Sequence, residues 1–253
     1  LVIGDRNTPT IDFRKMNECK EFINKGFEFE FMDAKSQEAI MKSKPFMYDL
    51  IPWKRVQRRN LGYYFAYKEN YNYLITIDDD NYPLTKDLII KHIENLESKE
   101  NEIISPKNEQ ISWYNPCSLL PNRIVHRGFP HHLVYKKQEF ILKKGLGRVV
   151  ASEGFWLGDP DITALSRVEG NPLNTNIERI ELKNNFCLSF FLKSPHNTQN
   201  TAYRREIIPA LFLSAKIGRY DDIWASYFLK ALMYIKEDLI SYGYPLVRQD
   251  RND

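Results

Sequence analysis

Hydrophobic and polar positions over the first 35 residues predict a strand, a helix and a second strand. Leu1–Ile3 is an apolar run that ends in Gly4–Pro9, a turn-rich loop typical of the carboxyl end of a parallel strand. Apolar residues at helical spacing run from Phe13 to Ile23, and Phe27–Phe31 then alternates apolar and acidic residues as a half-buried strand does. This order predicts a βαβ unit.

The next seventy residues repeat that alternation. Trp53–Asn70 has helical periodicity, with apolar and basic residues predicted on opposite sides (Val56, Leu61, Tyr64, Phe65; Lys54, Arg55, Arg58, Arg59). Tyr73–Ile77 is a buried strand that continues into Asp78–Asn81, and Pro83 prevents the strand from extending. A helical stripe follows (Leu88, Ile89, Ile93, Leu96). The order of elements predicts an α/β fold with a doubly wound, mostly parallel sheet flanked by helices.

The rest of the chain has a weaker pattern. Between about residues 101 and 200, short apolar runs broken by Pro, Gly and Asn predict mixed strands and long loops. A helix is predicted from Asp221, with an apolar stripe along it (Ile223, Trp224, Tyr227, Phe228, Ala231, Ile235). There is no repeat and no Gly- or Ser-rich linker, so we expect one domain over residues 1–253 with two functional halves that meet near residue 100.

Composition narrows the class of protein. The 253 residues are 43% hydrophobic and 27% charged, which excludes a disordered, collagen-like or membrane-bundle chain. The net charge of +3 is spread along the chain, so nucleic acid is not the expected partner. Three widely spaced cysteines suit neither a disulfide framework nor a zinc site and favour a reducing compartment, the cytoplasm. No apolar stretch approaches the ~20 residues of a spanning helix and no signal peptide is visible, so any membrane association is expected through partners.

Three adjacent carboxylates, Asp78, Asp79 and Asp80, leave the predicted buried strand together. Carboxylates so close repel one another unless a cation neutralises them, and hard oxygen ligands suit Mg²⁺ or Mn²⁺. The alternative is a solvated acidic turn, which is common for Asp-rich loops.

Asp221 and Asp222 follow Gly218-Arg219-Tyr220 at the start of the last helix. Carboxylates at a helix start are expected for capping alone. The functional alternative is that one of them contacts a sugar hydroxyl or acts as a base, with Arg219 balancing the charge.

Other chemistry-bearing residues are less specific. Arginines suit phosphate oxygens but are more often solvated at the surface (Arg58, Arg59, Arg127, Arg204, Arg205). Adjacent His131 and His132 would point to opposite faces of an extended segment, which argues against zinc. Gly145–Gly147 lacks the third glycine of a dinucleotide fingerprint.

In order along the chain, five blocks resemble motifs of the reversibly glycosylated polypeptides, a family that includes plant UDP-arabinopyranose mutases and related glycosyltransferases. The blocks are Asn60–Tyr63 with Thr76–Asp80, Arg127–Pro130, Glu153–Leu157 with Pro160-Asp161, Asn200–Ala202 with Arg205-Glu206, and Ile217–Ala225. The resemblance covers about Asn60 to Lys230, and its last block is the most specific.

The resemblance implies a glycosyltransferase A-type fold that binds a nucleotide diphosphate sugar, a UDP-sugar foremost, through Mn²⁺ or Mg²⁺. Residues 1–100 would be the nucleotide-binding half and residues 101–253 the sugar- and acceptor-binding half. Asp80 and Asp78 would hold the metal, and Asp221, Asp222 and Arg127 would be catalytic. Donor-binding positions would be Gly4, Asp5, Arg6, Arg58, Arg59, Asp78, Asp79, Trp156, Asn200 and Arg219.

The sequence also departs from the family. Val134 replaces a second arginine, which weakens the expectation of self-glycosylation and of mutase activity, and His196–Gln199 replaces a Cys-Gly-Met segment. The family's His-bearing C-terminal segment is expected beyond Asp253.

These observations favour a metal-dependent glycosyltransferase that transfers a sugar to a glycan, lipid or protein acceptor. The alternatives are a UDP-sugar pyranose/furanose mutase and, ranked lower, a catalytically silent nucleotide-sugar-binding partner. A glycoside hydrolase ranks lowest, because three clustered carboxylates poorly separate an acid from a base. The resemblance leaves a homo-oligomer open.

Overall fold

A computed structural model describes residues 1–9, 15–108, 110–120, 124–169 and 184–250. Contacts divide the chain into two compact units: a first unit of residues Leu1–Asn70 with Phe212–Asp221, and a second unit of Tyr71–Leu211 with Asp222–Asp253. Both contain helices and strands, so the α/β class is confirmed. The expected single domain with halves meeting near residue 100 stays a prediction.

The first unit is a two-stranded parallel sheet with helices. Strands β1 (Val2–Ile3) and β2 (Phe31–Met32) pair in the register Val2↔Phe31, as the βαβ pattern predicts. Its helices are α1 (Asn17–Asn24), α2 (Ala34–Ser43), α3 (Met47–Leu50) and α4 (Arg59–Lys68), with a 3₁₀ turn at Val56–Arg58. The strand predicted at Phe27–Phe31 starts only at its last residue.

A methionine-rich core holds the first unit together. Its buried members are Met32, Met41, Met47, Ile51 and Leu61. The predicted side assignment of the Trp53–Asn70 segment is wrong at two positions, since Arg58 is 4% exposed whereas Val56 is 48% exposed. Helical periodicity placed Arg58 among the basic surface residues. Its guanidinium group instead donates hydrogen bonds to two buried acceptors, the Ile51 carbonyl oxygen and Gln37 Oε1.

Buried Asn60 fixes the segment Phe212–Asp221 to the rest of the first unit. Its Nδ2 donates to the Leu213 carbonyl oxygen and its Oδ1 accepts from the Leu213 amide, both at 2.8 Å. One side chain therefore satisfies both backbone polar groups of Leu213.

Substitution Asn60→Leu is expected to destabilise the protein by about 2–4 kcal/mol, because it leaves a buried amide and a buried carbonyl without partners. Urea denaturation measures this change. The substitution Asn24→Leu, at an exposed position of α1 in the same unit, is the control and should change stability far less. Equal effects of the two substitutions would contradict the assigned role of Asn60.

The second unit contains an eight-stranded sheet in the order β3-β9-β7-β10-β8-β5-β6, with β4 on β10. The strands are β3 (Tyr73–Ile77), β4 (Asn81–Pro83), β5 (Glu100–Pro106), β6 (Phe140–Leu146), β7 (Val149–Gly158), β8 (Phe186–Leu188), β9 (Asn200–Arg204) and β10 (Leu239–Gln249). Helices α5 (Leu88–Glu97), α6 (Ala164–Glu169) and α7 (Asp221–Lys236) complete the order, with α7 starting at the last residue of the first unit. No helix in the described ranges is long and apolar enough to cross a membrane.

This sheet is mixed, so the predicted mostly parallel, doubly wound arrangement is wrong. Among the described strands, β7 with β10 and β5 with β8 are parallel pairs, and the other neighbours are antiparallel. The predicted third strand, β3, pairs with β9 in the register Ile77↔Asn200, and β1 and β2 belong to a separate sheet. Local periodicity identifies strands, but it does not show which distant strand each one joins.

Three aspartates of the second unit lie at one edge of the sheet, and one of them, Asp78, is a predicted site residue. Strands β3 and β7 both pair antiparallel with β9, and β10 is parallel to β7, so β3, β7 and β10 point the same way. Their carboxyl ends are followed by Asp78, Asp159 and Asp250. Ligands of open α/β sheets bind at such an edge.

Helix α7 is present as predicted, but its buried side is not the predicted stripe. The buried residues are Asp221, Asp222, Ile223, Ala225, Ser226, Leu229, Lys230 and Met233. Trp224, Phe228 and Ile235 are 47%, 59% and 70% exposed. Because apolar residues occur on both sides of α7, periodicity alone did not identify the buried side.

Candidate functional site

The acidic turn Asp78–Asp80 joins β3 to β4 at the carboxyl edge. The Asp78 amide donates to the Gln199 carbonyl at 3.1 Å, and the Asp250 amide donates to the Asp80 carbonyl at the same distance. Asp78 and Asp80 are half-buried, whereas Asp79 is exposed. Backbone bonds on both sides therefore fix the turn to the sheet.

Two amide side chains surround the Asp80 carboxylate. Asn81 Nδ2 donates to Oδ1 at 2.9 Å and Gln249 Nε2 donates to Oδ2 at 3.3 Å. Asn81 Oδ1 and Gln249 Oε1 are buried and have no partner among the described residues. These orphaned oxygens and the carboxylates are hard donors of the kind that Mg²⁺ and Mn²⁺ prefer, so the residues fit such an ion. Within the described ranges, no three His, Cys, Asp or Glu side chains form a metal-binding group.

Arg127 lies between two carboxylates in the second unit. Its Nε donates to Asp161 Oδ2 at 2.7 Å, and one terminal nitrogen donates to Asp222 Oδ2 at 2.5 Å. Burial lowers the pKa of Arg127, but Asp222 and Asp161 outweigh that effect and raise it. The guanidinium group thus fixes Asp222, at the start of α7, against the loop that follows β7.

Gly128 permits the close approach of the Arg127 loop to α7. Its φ is +94°, and a Cβ there would lie 2.5 Å from Ile223 Cγ2 and 3.0 Å from the Tyr227 hydroxyl. Tyr227 also donates a hydrogen bond to the Gly128 carbonyl oxygen. The Arg-Gly pair is therefore a structural unit, in which glycine lets arginine reach Asp222.

His126 and Glu153 form a fully buried pair that shares one proton between His126 Nε2 and Glu153 Oε1. His126 Nδ1 lies 2.7 Å from the Arg127 carbonyl oxygen, which only accepts, so Nδ1 carries a hydrogen. Its Nε2 lies 3.2 Å from Glu153 Oε1, and a hydrogen bond there requires one further proton on either atom. Burial raises the pKa of Glu153 because it removes water from the carboxylate. This pair fixes the backbone next to Arg127.

Two predicted donor-binding residues, Trp156 and Asn200, lie inside the second unit at 1% exposure each. Asn200 Nδ2 donates to the Gly154 carbonyl at 3.0 Å, and its Oδ1 lies 2.9 Å from His92 Nε2. The Trp156 ring packs edge-on against His126, with centroids 5.9 Å apart. Both residues tie β7 to its neighbours here, and donor contact stays a prediction.

The structure brings four predicted donor-binding residues together in the first unit. Asp5 Oδ2 accepts from the Lys54 amide at 2.7 Å, and the Gly4 carbonyl accepts from Gln37 Nε2 at 2.7 Å. Gln37 Oε1 in turn accepts from Arg58. Arg6 lies nearby, because Arg6 and Arg58 both contact the ring of Trp53.

The remaining predicted residues lie elsewhere. Asp221 is 3% exposed and accepts a hydrogen bond from Gln57 Nε2 at 2.5 Å in the first unit, whereas Asp222 belongs to the second. Arg59 is half-buried at the start of α4, and Arg219 is exposed. His131 and His132 are exposed on a 3₁₀ turn, not on an extended segment.

Sequence analysis missed three residues that the structure distinguishes. Asp161 was part of a quoted motif but received no role, although it contacts Arg127. Trp53 contacts two arginines, and a tryptophan next to basic residues was the available indication. Lys230 is buried on α7 with an Nζ that has no partner in the described part of the chain. Lys230 is seven residues, or two helical turns, after the apolar Ile223, and this spacing on the same side of the helix was the available indication.

No family model matches the chain. It is similar to UDP-arabinopyranose mutase 3 of Arabidopsis thaliana, at 28% identity over 82% of this chain and 53% of that protein. It also matches probable UDP-arabinopyranose mutase 1 of Pisum sativum, at 27% over 87% and 56%, respectively. UDP-arabinopyranose mutase 1 of Oryza sativa subsp. japonica matches at 26% over 92% and 58%. The chain therefore spans little more than half the length of these relatives.

These three relatives are 26–28% identical to the chain over most of its length, and all are named UDP-arabinopyranose mutase. The resemblance to the reversibly glycosylated polypeptide family is therefore confirmed.

Proposed function

We propose that this chain acts on a UDP-sugar and interconverts its pyranose and furanose forms. The observation that carries the proposal is the Arg127–Asp161–Asp222 arrangement, whose three residues belong to the blocks of this sequence that resemble the reversibly glycosylated polypeptides. This order of preference reverses that of the sequence analysis, which placed the glycosyltransferase first. The names of the relatives support the mutase more directly.

Ring interconversion sets clear chemical demands. The bond between C1 and the diphosphate breaks, a different sugar hydroxyl oxygen attacks C1, the bond between C1 and the original ring oxygen breaks, and the bond to the diphosphate forms again. One proton passes from the hydroxyl that attacks C1 to the former ring oxygen. A single carboxylate in a fixed position can accept and return that proton.

Asp222 is our choice for that carboxylate. Arg127 holds one of its oxygens, and the Ile223 amide donates to the other at 2.9 Å. Both contacts orient the group. In this proposal Arg127 and Asp161 position Asp222, while Asp221 remains a predicted sugar contact.

Asp78 and Asp80 are proposed to hold Mn²⁺ or Mg²⁺. The orphaned oxygens of Asn81 and Gln249 beside Asp80 support this assignment. When bound, the ion would neutralise charge on the diphosphate. The chain's own contribution is to fix Asp80 through the Asn81 and Gln249 amides and to keep the turn against β10.

A glycosyltransferase is the second candidate, since it shares the first bond cleavage with a mutase. The substrates separate the two. The protein is incubated with Mn²⁺ and UDP-, GDP- and other nucleotide sugars, with and without glycan acceptors, and the products are resolved by chromatography. Isomerised donor without nucleotide release supports the mutase. Free nucleotide that appears only with an acceptor supports the transferase, and absence of both products contradicts both functions.

Substitution Asp80→Asn is expected to weaken metal-dependent UDP binding at least 10-fold. The amide replaces a negatively charged ligand of the ion with a neutral one of the same size. Isothermal calorimetry with UDP, with and without Mn²⁺, measures the effect. Asp87→Asn, a carboxylate at the start of α5, is the control and should bind UDP as the wild type does. Unchanged metal-dependent binding in Asp80→Asn would contradict the assignment.

A further inference from the structure

The ring of Trp53 lies against two guanidinium groups in the first unit. Arg58 Cζ is 3.6 Å and Arg6 Cζ is 4.7 Å from the ring centroid. Trp53 Nε1 donates to Glu38 Oε1 at 3.2 Å, which orients the ring. A tryptophan held in this way offers a flat aromatic surface next to two positively charged groups.

Arg58 is a buried cation without a carboxylate partner among the described residues. One terminal nitrogen donates to the Ile51 carbonyl at 2.8 Å and the other to Gln37 Oε1, while Nε has no partner. Burial lowers the pKa of Arg58, since the charged form loses water. The charges of Asp5 and Glu38 act in the opposite direction, so Arg58 remains a charged group beside the ring.

Arg6 is easily displaced from the ring. Its side chain is 55% exposed, and its ion pair with Glu38, at 2.8 Å, lies at the surface. Surface ion pairs of this kind are weak. A planar group that stacks on Trp53 can therefore replace Arg6 and leave its guanidinium group available to an anion.

We propose that Trp53 stacks the base of a uridine nucleotide, that Arg58 backs the ring with fixed positive charge, and that Arg6 moves to the diphosphate. This inference rests on the proposed function and deepens it by placing base recognition in the first unit. A nucleoside diphosphate combines a flat base with adjacent negative charge, which matches a ring beside two cations. Sequence analysis assigned no role to Trp53.

Fragments of the nucleotide test each part of this site. Binding of UDP, uridine and pyrophosphate is measured by calorimetry without metal, in the wild type and in Trp53→Ala, Trp53→Phe and Arg6→Met. Trp53→Ala should weaken UDP and uridine binding roughly 5- to 100-fold and leave pyrophosphate binding unchanged, and Trp53→Phe should stay within about 3-fold of the wild type. Arg6→Met should weaken pyrophosphate and UDP binding and should not weaken uridine binding, because the base no longer has to displace Arg6 from the ring.

Two controls keep the test decisive. Trp224→Phe removes an exposed tryptophan of the second unit and should bind all three ligands as the wild type does. Trp53 packs against the first-unit core, so thermal unfolding checks each variant, and the surface variant Arg6→Met gives an answer even if Trp53→Ala does not fold.

Wild-type uridine affinity in folded Trp53→Ala, or wild-type pyrophosphate affinity in Arg6→Met, overturns the inference. If the wild type isomerises UDP-sugars despite either result, the inference fails and the proposed function stands. If the fragment pattern is as expected but no nucleotide sugar is isomerised or transferred, the proposed function fails and the binding site stands. Failure of the wild type to bind uridine and UDP overturns the inference.

Discussion

Substitution Lys230→Met should stabilise the protein by on the order of 4 kcal/mol at pH 7, because it removes a buried, unpartnered amine. Lys230 is 3% exposed, and its Nζ has no hydrogen-bond partner in the described part of the chain. Burial lowers the pKa of Lys230 from 10.5 to about 7. In a domain of this size the gain corresponds to an increase in Tm of roughly 10 °C.

The gain from Lys230→Met should depend on pH in a defined direction. Above about pH 10.5 the amine is neutral in both the folded and the unfolded chain, so the substitution has little effect on ionisation. As the pH falls from 10.5 to about 7, the unfolded chain binds a proton that the folded chain does not, and wild-type stability falls. The difference between variant and wild type should therefore grow over this window and remain constant below it.

Lys236→Met is the matched control, since Lys236 is an exposed lysine of the same helix. It should change stability by no more than about 0.5 kcal/mol. Differential scanning calorimetry at pH 7 and pH 10 measures both variants. A lower Tm for Lys230→Met at pH 7 would show that the amine has a stabilising partner. A gain that does not shrink at pH 10 would show that ionisation of the amine is not its source.

Substitution Arg127→Gln should reduce isomerisation at least 100-fold, because Asp222 loses the group that orients it and Asp161 and Asp222 are left close together. The same change removes one partner from two half-buried ion pairs and should cost about 2–3 kcal/mol of stability. Activity and urea denaturation are measured together, so that the loss of activity is recorded on folded protein.

Arg148→Gln controls for the loss of an arginine between two carboxylates. Arg148 Nε donates to Asp238 at 2.8 Å, and one terminal nitrogen donates to Glu206 at 3.0 Å. Arg148 directly precedes β7, so it lies at the edge of the sheet opposite to the one that Asp159 follows. This variant should lose stability but keep wild-type activity. Equal losses of activity in the two variants would mean that Arg127 acts through stability alone.

Local elements were predictable where a single segment determines them. Tyr73–Ile77 is the strand that its apolar run predicted, and α5 and α7 occur where helical spacing placed them. The sheet was not predictable, because β3 joins β9, more than 120 residues later in the chain. That pairing depends on contacts over long sequence separation, which no local pattern records.

The candidate site was predictable by residue type but not by environment. Carboxylates and arginines were selected as chemistry-bearing groups, and the structure shows that Arg127 and Asp222 are in direct contact. Burial was not visible in the sequence: Trp156 and Asn200 are interior residues, and Arg58 is an interior cation. Exposure depends on the whole fold, so a motif gives the identity of a residue without showing which side of it faces a ligand.

The most direct test follows the anomeric proton of UDP-arabinopyranose by NMR in the presence of Mg²⁺, with wild type, Arg127→Gln and Arg148→Gln at equal concentration. The account predicts that wild type and Arg148→Gln convert the pyranose signal to a furanose signal without releasing UDP, and that folded Arg127→Gln does so at least 100-fold more slowly. Wild-type protein that binds the sugar nucleotide but yields only unchanged pyranose, or UDP and free arabinose, would contradict it.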